Sequence, residues 1–141
     1  MGREAGNPDP KVMCSYFTGV AHSRDEEQRT KERLLSYLHG FLPAIPQDRS
    51  KTPPHIAYFA DIADTLKKLT PSDLGERSIV TGDRERCVEI LKKCEDGGIS
   101  EVILYFNFGA LSHRDTLAAM ERFATEVMPH FTPKEAADPA G

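Results

Sequence analysis

The sequence has little that is typical of a secreted, membrane or nucleic-acid-binding protein. Its 141 residues include no tryptophan and only three cysteines, an odd number that does not form a disulfide framework. No apolar run approaches the roughly 20 residues that cross a bilayer. The 18 basic residues are outnumbered by 22 acidic ones, whereas nucleic-acid-binding proteins usually carry a basic patch. We therefore expect a cytoplasmic protein that binds neither nucleic acid nor a membrane.

Several motifs that carry chemistry are also missing. No pair of cysteines has the CxxC spacing of zinc sites, and we expect no metal. There is no glycine-rich GxGxxG turn after a strand, no phosphate-binding Walker loop and no GxSxG nucleophile motif. Cys87 and Cys94 lie seven residues apart on one helical face, which predicts packing against a core.

The apolar pattern alternates between short runs rich in β-forming residues and helical stripes. We predict a polar leader over 1–10, three strands, four helices and a loose tail over 133–141. The predicted strands cover residues 11–18, 78–80 and 102–106, and the helices begin near Ser23, His55, Asp83 and Ser112. Because helices separate the strands, the strands are expected to be parallel.

The run Val102-Ile-Leu-Tyr-Phe106 is apolar without alternation, which is typical of a strand buried on both faces. Three strands are fewer than the eight of a closed barrel, which takes about 250 residues. The residues alone therefore leave two interpretations, a small open α/β domain or a part of a larger barrel.

A longer pattern runs through residues 78–131. Its segments are TGDRERC at 81–87, GGI at 97–99, EVILYFNFG at 101–109 and MERFATEVMPHF at 120–131. This block resembles the last two strand–helix units of luciferase-like, flavin-dependent monooxygenases. Residues 11–42 are similar to the preceding unit, although this match is weaker, and residues 43–77 resemble a variable insertion.

The resemblance implies that residues 11–132 are the C-terminal part of a (β/α)8 barrel, about its last three βα units, with the helices on one face. It further implies reduced FMN as co-substrate, O2 as oxidant, an organic substrate and a flavin reductase as partner. Relatives in the wider superfamily use the deazaflavin F420 instead. The strands that hold the FMN phosphate in the family have no counterpart here. We expect the isolated chain to be inactive, self-associating or dependent on a complementary fragment. The alternative is a non-catalytic α/β fragment that binds a partner chain.

Barrel active sites lie at the carboxyl ends of the strands, which selects five candidate residues. His22 is the candidate catalytic residue, because its ordinary pKa is near neutrality, and a solvated histidine in a loop or at a helix N-terminus is the alternative. Asn107 and Ser112 are candidates for cofactor binding, the latter at a helix N-terminus where an anion would be favoured. Asn107 has a turn-closing alternative. Thr18 and Phe108 are candidates for a substrate pocket, and Phe108 has a core role as its alternative.

Overall fold

A computed structural model describes residues 10–131, so the predicted tail over 133–141 and all but Pro10 of the predicted leader lie outside it. Three strands alternate with four helices. The strands are β1 (Met13–Val20), β2 (Ile79–Gly82) and β3 (Glu101–Tyr105), and the helices are α1 (Arg24–His39), α2 (Tyr58–Lys68), α3 (Arg84–Asp96) and α4 (His113–Glu126). Short 3₁₀ turns connect several of these elements.

Three of the helices begin at the polar residues that predict their start. The side chains of Ser23, Asp83 and Ser112 each accept a hydrogen bond from the backbone N–H three residues later, at 3.2, 2.8 and 3.1 Å. These bonds satisfy N–H groups that have no partner inside the helix. At α1 the reciprocal bond differs from a standard capping box, since the Glu26 carboxylate accepts from the N–H of His22.

The three strands form one parallel sheet in the order β2-β1-β3. The carboxyl-terminal half of β1 pairs with β2, from Phe17 opposite Ile79 to Val20 opposite Gly82. Its amino-terminal half pairs with β3, from Met13 opposite Glu101 to Phe17 opposite Tyr105. The prediction of a parallel α/β sheet is confirmed.

The strand order differs from that of a barrel arc, where successive strands are neighbours. Here β3 lies beyond β1, and the eight-residue β1 is the central strand that pairs with both shorter strands. The crossovers β1–α–β2 and β2–α–β3 therefore run in opposite directions along the sheet. Since such crossovers are right-handed, their helices cover opposite faces. The expectation that all helices lie on one face is wrong.

Two hydrophobic clusters occupy the two faces. One joins the sheet to α3 and α4 and contains buried Val20, Val80, Cys87, Phe123 and Val127 with their neighbours. The other lies beneath α1 and contains Leu34, Leu74, Ile79 and Phe108. The chain is therefore an α/β sheet with helices on both sides, although the two faces are not equally covered.

The least covered strand is β3. None of its residues from Glu101 to Tyr105 is buried, and Ile103 and Tyr105 are 45% and 50% exposed. The prediction of burial on both faces is wrong for this strand. The reason is that α1 packs against β1 and β2, so that the same face of β3 stays uncovered within residues 10–131. All four residues of β2 are buried instead.

Candidate functional site

A crevice near the carboxyl end of β1 lies between α1 and α4. It has a volume of about 410 Å³ and opens to solvent. In open parallel sheets, ligands bind outside the carboxyl ends of strands where neighbouring crossovers leave toward opposite faces. Between β1 and β3 the chain meets this condition, because β1 leads to α1 on one face and β3 leads to α4 on the other. We call this space the switch-point crevice.

Charged side chains from both helices line the switch-point crevice. Arg29 and Arg33 come from α1, Arg122 comes from α4, and the carboxylates of Glu26 and Asp115 face the same space. Three cations against two anions leave a positive balance. This arrangement suits a ligand with an anionic group, such as a carboxylate or a phosphate ester.

Arg122 and Glu26 tie the two helices together at the strand end. The Arg122 guanidinium donates to the Val20 carbonyl at 3.1 Å and to the Glu26 carboxylate at 3.2 Å. The same carboxylate accepts the N–H of His22 at 2.7 Å. The hydrogen bond from His22, followed by the positive charge of Arg122, lowers the pKa of Glu26 despite its partial burial. Glu26 therefore stays ionised over a wider pH range and positions Arg122.

Arg33 has the most unusual surroundings in the crevice. Its guanidinium carbon lies 5.1 Å from the centre of the Phe108 ring, within the range of a cation–π contact. Burial lowers the pKa of Arg33, and the charge of Asp115 opposes that effect. Its Nε atom is buried and has no hydrogen-bond partner in the described part of the chain. Arg33 is thus partly removed from water, and its contact with the Phe108 ring offsets some of the free-energy cost of burying the charge.

Gly109 makes this close approach possible. It has a φ of +64°, and a Cβ atom at this position would lie 2.1 Å from the Arg33 Cγ atom and 2.5 Å from the Arg33 carbonyl oxygen. Only glycine fits such a contact without a shift of the backbone. The turn after β3 is therefore packed directly on α1.

The sequence analysis did not select these arginines, because the stretch from Arg24 to Arg33 reads as a solvated helix face. One signal was present. Thr30, Arg33 and Leu34 share a helical face, and Thr30 and Leu34 are buried. An arginine between two buried positions points along the sheet edge and not into bulk solvent.

His22 follows β1 as predicted and is exposed. Its Nε2 atom lies 2.8 Å from a carboxylate oxygen of Glu126 on α4. It does not contribute to the lining of the switch-point crevice. A carboxylate partner commonly fixes a histidine ring in one orientation. This contact is compatible with a catalytic role for His22, which stays a prediction.

Thr18 and Phe108, the candidates for a substrate pocket, are each 1% exposed. The Thr18 hydroxyl donates to the Val80 carbonyl at 3.0 Å, and Phe108 belongs to the cluster beneath α1. In this arrangement a substrate does not touch either side chain. Phe108 reaches the crevice only indirectly, through the guanidinium of Arg33.

Asn107 and Ser112, the candidates for cofactor binding, are both exposed. Ser112 caps α4 and its hydroxyl donates to the Asp115 carboxylate at 2.7 Å. That carboxylate occupies the first turn of α4 and would repel a phosphate there.

Aromatic side chains form a second surface feature on the α1 side of the sheet. The Phe17 ring lies 5.7 Å from the rings of both Tyr37 and Tyr105, and Tyr37 lies 5.0 Å from Phe41. These residues border a groove of about 350 Å³ that continues onto Ile103 and Met13, which are 45% and 55% exposed. We call this region, with its six residues Met13, Phe17, Tyr37, Phe41, Ile103 and Tyr105, the open sheet face.

Within residues 10–131, His, Cys, Asp and Glu side chains form no group of three that could hold a metal ion. The same residues contain no helix with the length and apolar character needed to cross a bilayer.

No protein-family model matches the sequence, and no curated protein matches it. The functional assignment therefore rests on the residue pattern over 78–131 and on the geometry described above.

Proposed function

We propose that this chain supplies the C-terminal strands and helices of a luciferase-like, FMN-dependent monooxygenase. Such an enzyme uses reduced flavin and O2 to insert one oxygen atom into an organic substrate, and the other atom leaves as water. The observation that carries the proposal is the continuous pattern from Ser78 to Phe131. It combines a capped helix after TGD, a GGI turn, an apolar strand and a final helix ending in EVMPHF.

The finer assignment, the last three βα units of a (β/α)8 barrel, requires β3 to lie beside β2 in the whole enzyme. In the isolated chain β3 pairs with β1 instead. The exposure of β3 supports the view that this arrangement is incomplete, because its apolar sequence is typical of an interior strand.

In this proposal the chain contributes residues at the carboxyl edge of the sheet, and further strands contribute the flavin pocket. The arginines of the switch-point crevice would bind an anionic group of the substrate. His22, oriented by Glu126, would donate a proton or a hydrogen bond at the reacting centre. A flavin reductase would supply the reduced cofactor.

The test expresses this chain together with further strand–helix units of a (β/α)8 barrel, sought in the reading frames around its coding sequence. We expect the completed protein to bind reduced FMN and to consume O2, whereas this chain alone does neither. A parallel titration with F420 distinguishes the deazaflavin alternative. A completed protein that binds neither flavin would contradict the proposal.

His22 gives a residue-level test in the completed enzyme. We expect His22→Asn to lower the turnover number by about 10²-fold or more, the usual contribution of a general acid or base, while the unfolding midpoint changes little. The control is His55→Asn, since His55 is exposed before α2 and distant in sequence from the sheet edge. Equal turnover of the two variants would leave His22 as a solvated histidine.

A second function, binding of a partner chain without catalysis, is favoured by the open sheet face. Within residues 10–131, the outer edge of β3 has backbone groups without a strand partner, and the exposed Ile103 and Tyr105 lie on the same strand. A β-strand of another chain would pair with these backbone groups and cover the two side chains. Partner binding without any flavin binding by the completed protein would place this function first.

A further inference from the structure

Two cysteines that are 80 positions apart meet between β1 and α3. Cys14 and Tyr16 lie two residues apart on β1 and so point to the same face of the sheet, the face that α3 covers. Cys94 lies in the last turn of α3, and its Sγ atom is 3.7 Å from the Tyr16 hydroxyl oxygen. The side chain of Cys94 is also close enough to Cys14 to raise the pKa of the Cys14 thiol.

This pair is accessible, whereas the third cysteine is not. Cys14 and Cys94 are both half-buried. Cys94 and Tyr16 line a cavity of about 200 Å³ that opens to solvent beside Lys93 and Arg77. Cys87, by contrast, has no exposed surface, and its thiol donates to the Gly82 carbonyl at 3.6 Å. The chain thus contains two neighbouring thiols that a small molecule can reach and one that is sealed in the core.

We propose that Cys14 and Cys94 form a redox-active dithiol, which hydrogen peroxide oxidises to a disulfide that joins β1 to α3. This property is independent of the monooxygenase proposal, because it depends only on the contact between these two elements. The small peroxide molecule fits the cavity, and no larger oxidant is needed to reach the sulfur of Cys94.

The reaction has two balanced steps. The Cys94 thiolate attacks one peroxide oxygen, so that an S–O bond forms, the O–O bond breaks, and the released hydroxide takes up a proton as water. The Cys14 sulfur then attacks the resulting sulfenic acid. An S–S bond forms, the S–O bond breaks, and the departing hydroxide becomes a second water with the proton from Cys14. Two thiols are oxidised by two electrons, and one peroxide is reduced to two waters.

The surroundings assign different roles to the two thiols. Cys94 lines the cavity and meets the oxidant first. Burial, with the neighbouring Cys94, raises the pKa of Cys14, which therefore remains a thiol until the sulfenic acid forms beside it. The hydrogen bond with Cys94 is the main cause that raises the pKa of Tyr16 to about 12, so its hydroxyl stays neutral and available as a hydrogen-bond partner.

Peptide mapping of the native chain tests the proposal without any substitution. The reduced chain is treated with hydrogen peroxide, its remaining thiols are alkylated after unfolding, and the peptides are separated without reductant. We expect a disulfide to join the Cys14 and Cys94 peptides and Cys87 to be alkylated. The unfolded oxidised protein should have the mass of one chain and not of a disulfide-linked dimer. The oxidised form should unfold about 10 °C higher than the reduced form, since the bond closes a long loop.

Matched variants sharpen this result. Cys14→Ser and Cys94→Ser should each abolish the linked peptides and the rise in the unfolding midpoint, and Cys87→Ala should retain the linkage. Three alkylated cysteines after peroxide treatment would overturn the proposal. A linkage that includes Cys87, or Cys94 oxidised to sulfinic acid beside a free Cys14, would overturn it as well.

Discussion

At the scale of single residues, the switch-point crevice depends on a few contacts between side chains that are distant in sequence. Arg33 contacts Phe108 and Gly109, and Arg122 joins Glu26 to the end of β1. Each contact links α1 to the segment that follows β3. Substitutions at these positions therefore change the packing around the crevice. Measurements of the unfolding free energy distinguish the contribution of each contact.

Gly109→Ala is expected to destabilise the chain by at least ~2 kcal/mol. Part of this cost is the left-handed backbone conformation, about 1–2 kcal/mol, and the rest is the clash with Arg33. Gly98→Ala is the matched control, because Gly98 also has a positive φ, of +88°, but has nothing within 4 Å of the added Cβ atom. Urea denaturation compares the two. A loss for Gly109→Ala no larger than that for Gly98→Ala would contradict the close packing on α1.

Glu26→Gln tests the ionised carboxylate at the strand end. The folded-state pKa of Glu26 is lowered, so its charge stabilises the fold above the unfolded-state pKa of about 4.3 and loses this effect as the pH falls through the lower folded value. We expect a loss of less than about 1 kcal/mol at pH 7, since the site is half-exposed, and a smaller loss at low pH as Glu26 becomes protonated in the folded state too.

The control for this pH dependence is Glu121→Gln, at an exposed position that has no ion pair in the described chain. Its unfolding free energy should follow that of the parent chain at both pH values. Equal losses for Glu26→Gln at pH 7 and at low pH would show that the charge of Glu26 contributes nothing.

At the scale of helices and strands, α4 shows how one amphipathic stripe positions the site. Phe123 and Val127 are 5% and 0% exposed, and the Phe123 ring meets Phe106 edge-on at 5.6 Å. This packing fixes the helix against the sheet. It also presents Arg122, the residue before Phe123, to the end of β1.

Phe123→Ala should cost about 3–5 kcal/mol of unfolding free energy, because it leaves a cavity in the cluster beneath α4. Leu117→Ala on the same helix is the control, since Leu117 is 51% exposed and should change stability by less than about 1 kcal/mol. Chemical denaturation of both variants measures the difference. Similar midpoints for the two would refute the inward orientation of Phe123.

Three of the four helices were predictable because each begins at a polar residue that caps it, whereas α2 begins at Tyr58 without a side-chain cap. Ser23, Asp83 and Ser112 predict three helix starts, and the structure has all three. The strand order was not predictable, since the same alternation of strands and helices fits neighbours in chain order and the observed order β2-β1-β3. That choice depends on long-range pairing, which leaves no local pattern in the sequence. The crevice was missed for the same reason, because it exists only where β1 and β3 lie side by side.

At the scale of the whole molecule, the sheet is covered on one side of β1 and open on the other. Both β2 and β3 are edge strands, but within residues 10–131 β2 is buried, whereas β3 is partly exposed and borders the open sheet face. Exposed apolar strand edges recruit other chains, and contiguous apolar patches promote association. We therefore expect another chain to cover β3, and this expectation is the central claim of the proposal.

Sedimentation of the purified chain with FMN, followed by protein and flavin absorbance together, tests this claim most directly. We expect the mass to rise above the 15.7 kDa of a single chain as concentration increases, with no flavin in the protein boundary. Ile103→Lys, which places a charge on the exposed edge strand, should return the mass toward one chain. A parent chain that remains at 15.7 kDa at every concentration and carries FMN with micromolar affinity would contradict the account.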